Sequence, residues 1–110
     1  MRDKVKRPLG LIKGKCITEA KLQHKCIQYL KKHNYYYVKV IAATHAGVPD
    51  LFFLTRKGQA VFMEFKRLTG KVSPLQAANL KKIQDSRGLA FVIHSYEEFL
   101  EAMKSIEAQE

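Results

Sequence analysis

Two acids and a lysine interrupt the most apolar stretch of the chain, GVPDLFFLTRKGQAVFMEFKR, residues 47–67. The stretch predicts two β-strands, at 50–55 and 60–67, joined near Lys57-Gly58. Strand alternation puts Glu64 and Lys66 on one side, together with Phe62. A two-residue turn would set Asp50 opposite Phe65, on the other side, whereas a three-residue turn or a bulge near Gly58 would set it opposite Glu64. We predict the second arrangement, because only it brings the three charges together.

This trio would suit metal-assisted chemistry on a phosphate. Two neighbouring carboxylates repel each other unless a cation or a proton lies between them. Mg²⁺ accepts one or two carboxylates and completes its shell with water and substrate oxygens, and the backbone carbonyl of Phe65 could add a ligand. Lys66 cannot ligate while protonated. Its ammonium group could hold or help to deprotonate an attacking water, or stabilise charge developing on a phosphate.

Two further polar residues are candidates for the same site. Glu19 lies in line with the apolar stripe of a predicted helix, where a carboxylate needs a partner or a metal. An acid in the first turn of a helix also interacts favourably with the helix dipole. Gln76 lines up with Leu80 and Ile83, but it also stands at the capping-box position after Ser73. A functional role and a purely helical role remain open for both residues.

The remaining pattern supplies the elements that would position these residues. Thr18 predicts the start of a helix that runs to about His33. Ser73 predicts the start of a second helix, which runs to about Arg87 and stops at Gly88. Ser95 and Glu98 predict a capping box that starts a third helix. Strands are also predicted at 35–42 and 89–94, with a loop at 43–49. The order is α-β-β-β-α-β-α. The crossover before the last strand predicts an α/β fold with a mixed central sheet flanked by helices.

Composition limits the class of protein. The 110 residues are enough for one domain, with a predicted basic arm at 1–16. The net charge is +10, and residues 1–96 hold nineteen of the twenty Lys and Arg but only five of the ten acids. Such a basic body favours a nucleic-acid partner. No apolar run predicts a membrane span or a signal peptide, and Cys16 and Cys26 lack metal-site spacing, so we expect an intracellular protein with reduced thiols.

The ordered set GVPD (47–50), EFK (64–66) and SPLQ (73–76), preceded by an acid in the first helix, resembles the VRR-NUC domain (virus-type replication-repair nuclease) of the PD-(D/E)xK superfamily. The resemblance covers about residues 17–100 and looks like the stand-alone type of phage and bacteria, so it implies the cytoplasm of a bacterial or phage-infected cell. It implies a restriction-endonuclease-like αβββαβ core with an added C-terminal helix. It also implies metal ligation by Asp50 and Glu64, a catalytic role for Lys66, and supporting roles for Glu19 and Gln76.

For function, the resemblance implies a Mg²⁺-dependent DNA endonuclease, with Mn²⁺ able to substitute, acting as a homodimer on Holliday junctions or other branched DNA. A non-catalytic nucleic-acid-binding module that keeps the fold, and a nickase or cutter of plain duplex, remain alternatives. Residues that flank the site in sequence are the predicted DNA contacts, namely Lys13, Lys15, His45, Arg67 and Lys71.

Overall fold

The computed structural model describes residues 17–110 of the chain, so the predicted arm at 1–16 lies outside the described residues. Three helices and four strands follow one another in the predicted order. They are α1 (Glu19–Lys32), β1 (Tyr37–Lys39), β2 (Leu51–Leu54), β3 (Ala60–Phe65), α2 (Pro74–Asp85), β4 (Leu89–Ile93) and α3 (Tyr96–Glu107).

The four strands form one mixed sheet in the order β1-β2-β3-β4. β1, β2 and β3 are antiparallel neighbours, and β4 runs parallel to β3 because α2 carries the chain back across the sheet. The predicted α/β class with a central mixed sheet and flanking helices is therefore confirmed.

The hydrophobic core lies between one face of the sheet and the helices α1 and α3. The sheet contributes alternate residues of β2 and β3, which are fully buried: Leu51, Phe53, Val61, Met63 and Phe65. The helices contribute side chains at helical spacing: Leu22, Cys26, Leu30, Phe99, Met103 and Ile106. Cys26 is a free buried thiol, and burial raises its pKa to about 12, so it behaves as a small apolar side chain.

The opposite face of the sheet is only partly covered, by α2. This helix has no buried residue, and on the same side the rings of Phe52 and Phe62 lie 5.1 Å apart while remaining half-exposed. Val38 pairs with Phe52 across the β1–β2 ladder and is 39 % exposed. The outer face is therefore apolar but open, and it is the face that carries Glu64.

Several predicted boundaries differ from the structure. The strand predicted at 35–42 spans only Tyr37–Lys39, because Tyr35 N–H still bonds to Leu30 O at the end of α1. The strand predicted at 89–94 is half-buried rather than buried, except for Ile93, since β4 lies at the edge of the sheet. No helix within 17–110 has the length and apolar character needed to span a membrane.

The end of α2 is also shifted from the predicted Arg87-Gly88 stop. The helix ends at Asp85, and Arg87, not Gly88, adopts the left-handed conformation, with φ 74°. The N–H groups of Arg87 and Gly88 bond to the carbonyls of Gln84 and Ile83, which is the Schellman pattern. Gly88 is needed for packing instead, because a Cβ there would meet Ile83 Cγ2 at 2.8 Å.

Candidate active site

The hairpin has the turn that the predicted site requires. Leu51 pairs with Met63 and Leu54 with Ala60, and Thr55 N–H bonds to Gln59 O, which leaves a three-residue turn at 56–58. Gly58 supplies the left-handed backbone of this turn, with φ 83°. Continuing the register one step beyond Leu51 and Met63 sets Asp50 opposite Glu64, on the outer face.

Asp50 lies just before β2 and is tied to the neighbouring strand. Its Oδ2 atom accepts a hydrogen bond from the Phe65 backbone N–H at 2.9 Å. This bond extends the β2–β3 ladder by a side chain in place of a backbone carbonyl. Because a carboxylate has further acceptor capacity, Asp50 can hold this bond and still offer oxygen lone pairs to a cation.

Glu64 is a buried acid with two polar partners. Only 4 % of the residue is exposed, and its Oε2 atom accepts from Gln76 Nε2 at 3.0 Å and lies 3.4 Å from Lys66 Nζ. Burial and the nearby Asp50 raise the pKa of Glu64 to about 7, against the opposing effect of Lys66. The protein therefore does not fully neutralise this pair of carboxylates by itself, and an additional positive charge would be stabilised there.

Lys66 follows directly after β3. Its backbone N–H bonds to Ile93 O at 3.0 Å, so the sheet geometry continues through this residue and its side chain leaves on the face of Glu64. The Lys66 side chain is 16 % exposed. The Lys66 side chain thus pairs with Glu64 and remains partly open to solvent.

Gln76 caps α2 and also contacts Glu64. Its Oε1 atom accepts from the Ser73 backbone N–H at 2.8 Å, and its own backbone N–H donates to Ser73 Oγ, as predicted for a capping box. Its Nε2 group donates to Glu64. With Pro74 in the first turn, the capping box is confirmed. The same side chain that starts α2 therefore fixes the orientation of the buried acid.

Glu19 lies at the edge of this cluster. It is exposed at the start of α1, and its Oε2 atom accepts from Arg67 N–H at 3.2 Å. Its charge also contributes to the raised pKa of Glu64, as the smallest of the causes. Glu19 therefore fixes the backbone that follows Lys66, in addition to its place in the first turn of α1.

The donor set fits a hard divalent cation that retains water ligands. Within residues 17–110 no group of three or more Asp, Glu, His or Cys side chains is arranged to hold a metal. Two carboxylates and a carbonyl are available, since the Phe65 C=O points to the same side of β3 as its N–H, toward Asp50. Such a sparse oxygen set matches Mg²⁺, which dehydrates reluctantly, better than Ca²⁺ or Zn²⁺.

The predicted DNA contacts are scattered around this cluster. Arg67 and Lys71 are exposed on the segment between β3 and α2. His45 is exposed, but its Nε2 atom lies 3.3 Å from Asn79 Oδ1 on α2, away from the hydrogen bonds of the acids. Lys13 and Lys15 fall outside the described residues.

Two residues that the sequence did not single out support the site. Asn79 Nδ2 donates to Ala46 O at 3.4 Å and its Oδ1 lies near His45, which holds the loop before Asp50 against α2. His94 Nε2 lies 3.1 Å from Gly70 O and Nδ1 lies 3.2 Å from Glu98 Oε1. Both partners are acceptors, so the charged imidazolium satisfies both contacts better than the neutral ring, and the hydrogen bond to Glu98 chiefly raises the pKa of His94.

The sequence gives little indication of the contacts made by Asn79 and His94. Ser95 caps α3 as predicted, by accepting from Glu98 N–H, but the Glu98 carboxylate reaches the backbone N–H of His94 at 2.7 Å. A histidine just before a helix cap, and an asparagine one turn after a capping glutamine, are both too common to indicate these contacts.

Comparison with known proteins agrees with this architecture. The sequence model of the VRR-NUC domain matches residues 24–97. A solved structure described as "VRR_NUC domain" superposes with a TM-score of 0.71 at 20% sequence identity, over 78% of this chain and 94% of that one, which supports the fold. No curated protein sequence matches the chain. Since the family model spans most of the described residues, the chain belongs to the VRR-NUC domain family of nucleases.

Proposed function

We propose that the protein is a divalent-metal-dependent DNA endonuclease that hydrolyses phosphodiester bonds, with Mg²⁺ as the metal and Mn²⁺ able to replace it. The observation that carries the proposal is the buried Glu64 carboxylate, held by Gln76 and Lys66 and facing Asp50 on the open side of the sheet. A buried acid that faces a second carboxylate, with a lysine beside it, is an unfavourable arrangement for stability alone.

In this proposal Asp50, Glu64 and the Phe65 carbonyl hold the metal. When bound, Mg²⁺ would lower the pKa of a coordinated water and neutralise charge on the scissile phosphate. Gln76 keeps one oxygen of Glu64 fixed, and the Phe65 N–H keeps one oxygen of Asp50 fixed, so the remaining lone pairs are set in place before substrate arrives.

Lys66 is the proposed catalytic residue of the protein itself. Its ammonium group is held by Glu64 at 3.4 Å and is partly open to solvent, so it can orient the attacking water or stabilise the phosphate as negative charge develops. Glu19 is a positioning residue, because it bonds the backbone N–H of Arg67 and so fixes the end of the strand that carries Lys66.

The proposed partner is DNA, bound mainly through its phosphates. The net charge of +10 supports this, and Arg67 and Lys71 lie on the segment that leaves the site. We include Lys13, Lys15 and His45 as further contacts. Contacts of this type give affinity that falls steeply with salt and discriminate little between sequences.

We further propose a homodimer that cuts branched DNA such as a Holliday junction. Two-fold symmetry would present one site to each of two strands. The large apolar side chains left exposed on the described surface offer material for a contact with a second copy, among them Tyr36, Val38, Ile41 and Leu75.

The test is cleavage of a panel of labelled blunt duplex, flap, splayed and four-way DNA in Mg²⁺, Mn²⁺ and EDTA. We expect cleavage of branched DNA with either metal and none in EDTA. Lys66→Ala should lower the rate at least about 100-fold while binding in EDTA stays within a few-fold, as for loss of a group that stabilises transition-state charge. Lys57→Ala, in the exposed turn at the far end of the hairpin, is the matched control and should cut normally.

Two outcomes would contradict the proposal. If Lys66→Ala cuts as fast as the parent protein, the catalytic assignment is wrong. If the parent binds DNA but calorimetry detects no uptake of Mg²⁺ or Mn²⁺ with or without DNA, the protein is a non-catalytic binding module. Equal cutting of plain duplex would leave the endonuclease assignment intact and overturn the preference for branched DNA.

A further inference from the structure

A cavity of about 500 Å³ lies on the outer face of the sheet, beyond the carboxylate cluster. Its walls come from the second half of α2 and from the turn end of the β2–β3 hairpin. Phe62 and Ile83 give it an apolar lining, and Lys82 and Arg87 lie at its α2 side. The volume falls in the range of sites that bind small organic molecules.

This cavity adjoins the proposed active site. Phe62 precedes Glu64 by two residues on the same face of β3, so the two side chains leave the strand about 7 Å apart. On α2, Gln76 contacts Glu64, while Asn79 and Ile83 follow at helical spacing and line the cavity. The acids and the cavity therefore form successive parts of one groove between α2 and the sheet.

The charged side chains that line the cavity are all positive. None of its lining residues is acidic, and within residues 17–110 neither Lys82 nor Arg87 has an ion-pair partner. The neighbouring Lys81 is different, since it bonds to Asp85 at 3.0 Å and does not line the cavity. Unpaired cations beside an apolar lining are complementary to a ligand that has both an anionic group and a flat apolar face.

A nucleotide with an unpaired base meets this description. Its phosphate would lie against Lys82 and Arg87, and its base would stack on the half-exposed ring of Phe62. A base within intact duplex cannot do so, because both of its faces are covered by its neighbours in the stack.

We propose that this cavity binds an unpaired nucleotide of the DNA strand being cut, next to the scissile phosphate. The proposal rests on the nuclease function proposed above and, among the branched DNAs named there, favours those with unpaired bases at the branch over a fully paired four-way junction. Single-stranded character beside the cleavage point would then strengthen binding, largely independently of base identity, since stacking on an aromatic ring is sequence-tolerant.

The test measures binding in EDTA, where no cleavage is expected. One labelled DNA is a blunt duplex, and the other is the same duplex with a short unpaired overhang carrying 2-aminopurine. We expect Lys82→Ala and Phe62→Leu to weaken binding of the overhang DNA about tenfold, in line with the loss of one stacking or phosphate contact, and to leave the blunt duplex within about twofold. Lys81→Ala should leave both affinities unchanged.

The 2-aminopurine signal gives a second readout of stacking. Its fluorescence should change when the parent protein binds and should stay near the free-DNA value with Phe62→Leu. Thermal melting shows whether each variant is folded, and Lys82→Ala, an exposed change, suffices if Phe62→Leu unfolds.

Equal weakening of both DNAs by Lys82→Ala would overturn the proposal, because Lys82 would then be an ordinary backbone contact. A shift from dimer to monomer in sedimentation of Phe62→Leu would also overturn it, and would assign the cavity to a contact with a second copy. If overhang binding behaves as expected but no metal supports cleavage, the cavity assignment holds and the nuclease proposal fails.

Discussion

At the scale of single residues, Glu64 is the side chain whose environment departs most from that of an ordinary surface acid. It is 4 % exposed, and burial and Asp50 outweigh Lys66 in raising its pKa to about 7. An acid whose pKa is higher in the folded state than in the unfolded state stabilises the fold at low pH. That contribution is fully present below its ordinary value of 4.5 and is lost as the pH rises through about 7.

We therefore predict that Glu64→Gln flattens this pH dependence. In EDTA at pH 8 the variant should be more stable than the parent by the order of 3 kcal/mol, from about 1.4 kcal/mol per unit of pKa. The difference should shrink as the pH falls to 5, where Glu64 of the folded parent is protonated. Denaturant unfolding at pH 5 and pH 8 measures both values.

Glu101→Gln, an exposed change on α3, is the control and should leave the pH dependence unaltered. Addition of Mg²⁺ at pH 8 should stabilise the parent and not Glu64→Gln, because only the parent has the second carboxylate. If the two proteins keep the same stability difference at both pH values, Glu64 is ionised in the metal-free fold and the raised pKa is wrong.

At the scale of elements, local signals predicted most of the architecture. The caps at Thr18, Ser73 and Ser95, alternation in the hairpin, and the β-branched, aromatic or apolar runs at 35–42 and 89–94 predicted all seven elements, their order and the face that carries Glu64 and Lys66. These signals are local, since each depends on residues within one turn of helix or a few strand positions.

The parts that sequence could not predict depend on distant partners. The late start of β1 follows from the bond of Tyr35 N–H to the end of α1, and the half-burial of β4 from its place at the edge of the sheet, neither of which periodicity encodes. The contacts of Glu19 with Arg67 and of His94 with Gly70 join residues 48 and 24 positions apart. Only the tertiary fold shows that such polar side chains meet.

Two glycines with nearly the same positive φ allow a prediction about the loop before Asp50. Gly47 has φ 84° and Gly58 has φ 83°, but a Cβ at Gly58 would meet nothing within 4 Å. A Cβ at Gly47 would lie 2.8 Å from both Asn79 Nδ2 and Leu75 Cγ. Gly58→Ala should therefore show only the cost of a left-handed residue, about 1–2 kcal/mol.

Gly47→Ala should be more destabilising than Gly58→Ala and should also slow DNA cleavage, because relief of the clash moves the loop that leads to Asp50. Gly58→Ala should cleave faster than Gly47→Ala, because its Cβ would meet no atom within 4 Å. Denaturant unfolding and cleavage of the same branched substrate measure the two effects. Equal rates for the two variants would show that the loop does not position Asp50.

At the scale of the whole molecule, the end of the sheet opposite the acids is held together by a polar cluster. The Tyr35 hydroxyl lies 2.9 Å from Glu110 Oε1 and 3.2 Å from Glu107 Oε2, so these two carboxylates share its one O–H, and the Tyr29 hydroxyl donates to Glu107. Arg56, in the hairpin turn, donates its backbone N–H to Glu110 at 2.7 Å, and its guanidinium lies 4.1 Å from the Tyr35 ring. The cluster joins α1, the β2–β3 turn and the end of α3.

This separation predicts that stability and catalysis can be altered independently. Burial and the hydrogen bond to Glu107 raise the pKa of Tyr29 to about 12. Burial and the hydrogen bond to Glu110 likewise raise the pKa of Tyr35 well above its ordinary value. Both tyrosines therefore stabilise the fold below pH 10, and this contribution is lost as the pH rises above 10 through their folded pKa values. Tyr35→Phe should therefore reduce the loss of folding stability above pH 10.

At neutral pH, Tyr35→Phe should lower the stability by about 1 kcal/mol for the hydroxyl's hydrogen bonds, and removal of residues 108–110 should lower it further. Neither change should alter the cleavage rate, because the cluster joins α1, α3 and the hairpin turn on the core side of the sheet, away from the acids and from the cavity beside α2. Denaturant unfolding between pH 7 and 11 and cleavage at pH 8 provide the measurements. A slower cleavage rate in a fully folded Tyr35→Phe protein would show that the two ends of the sheet are coupled.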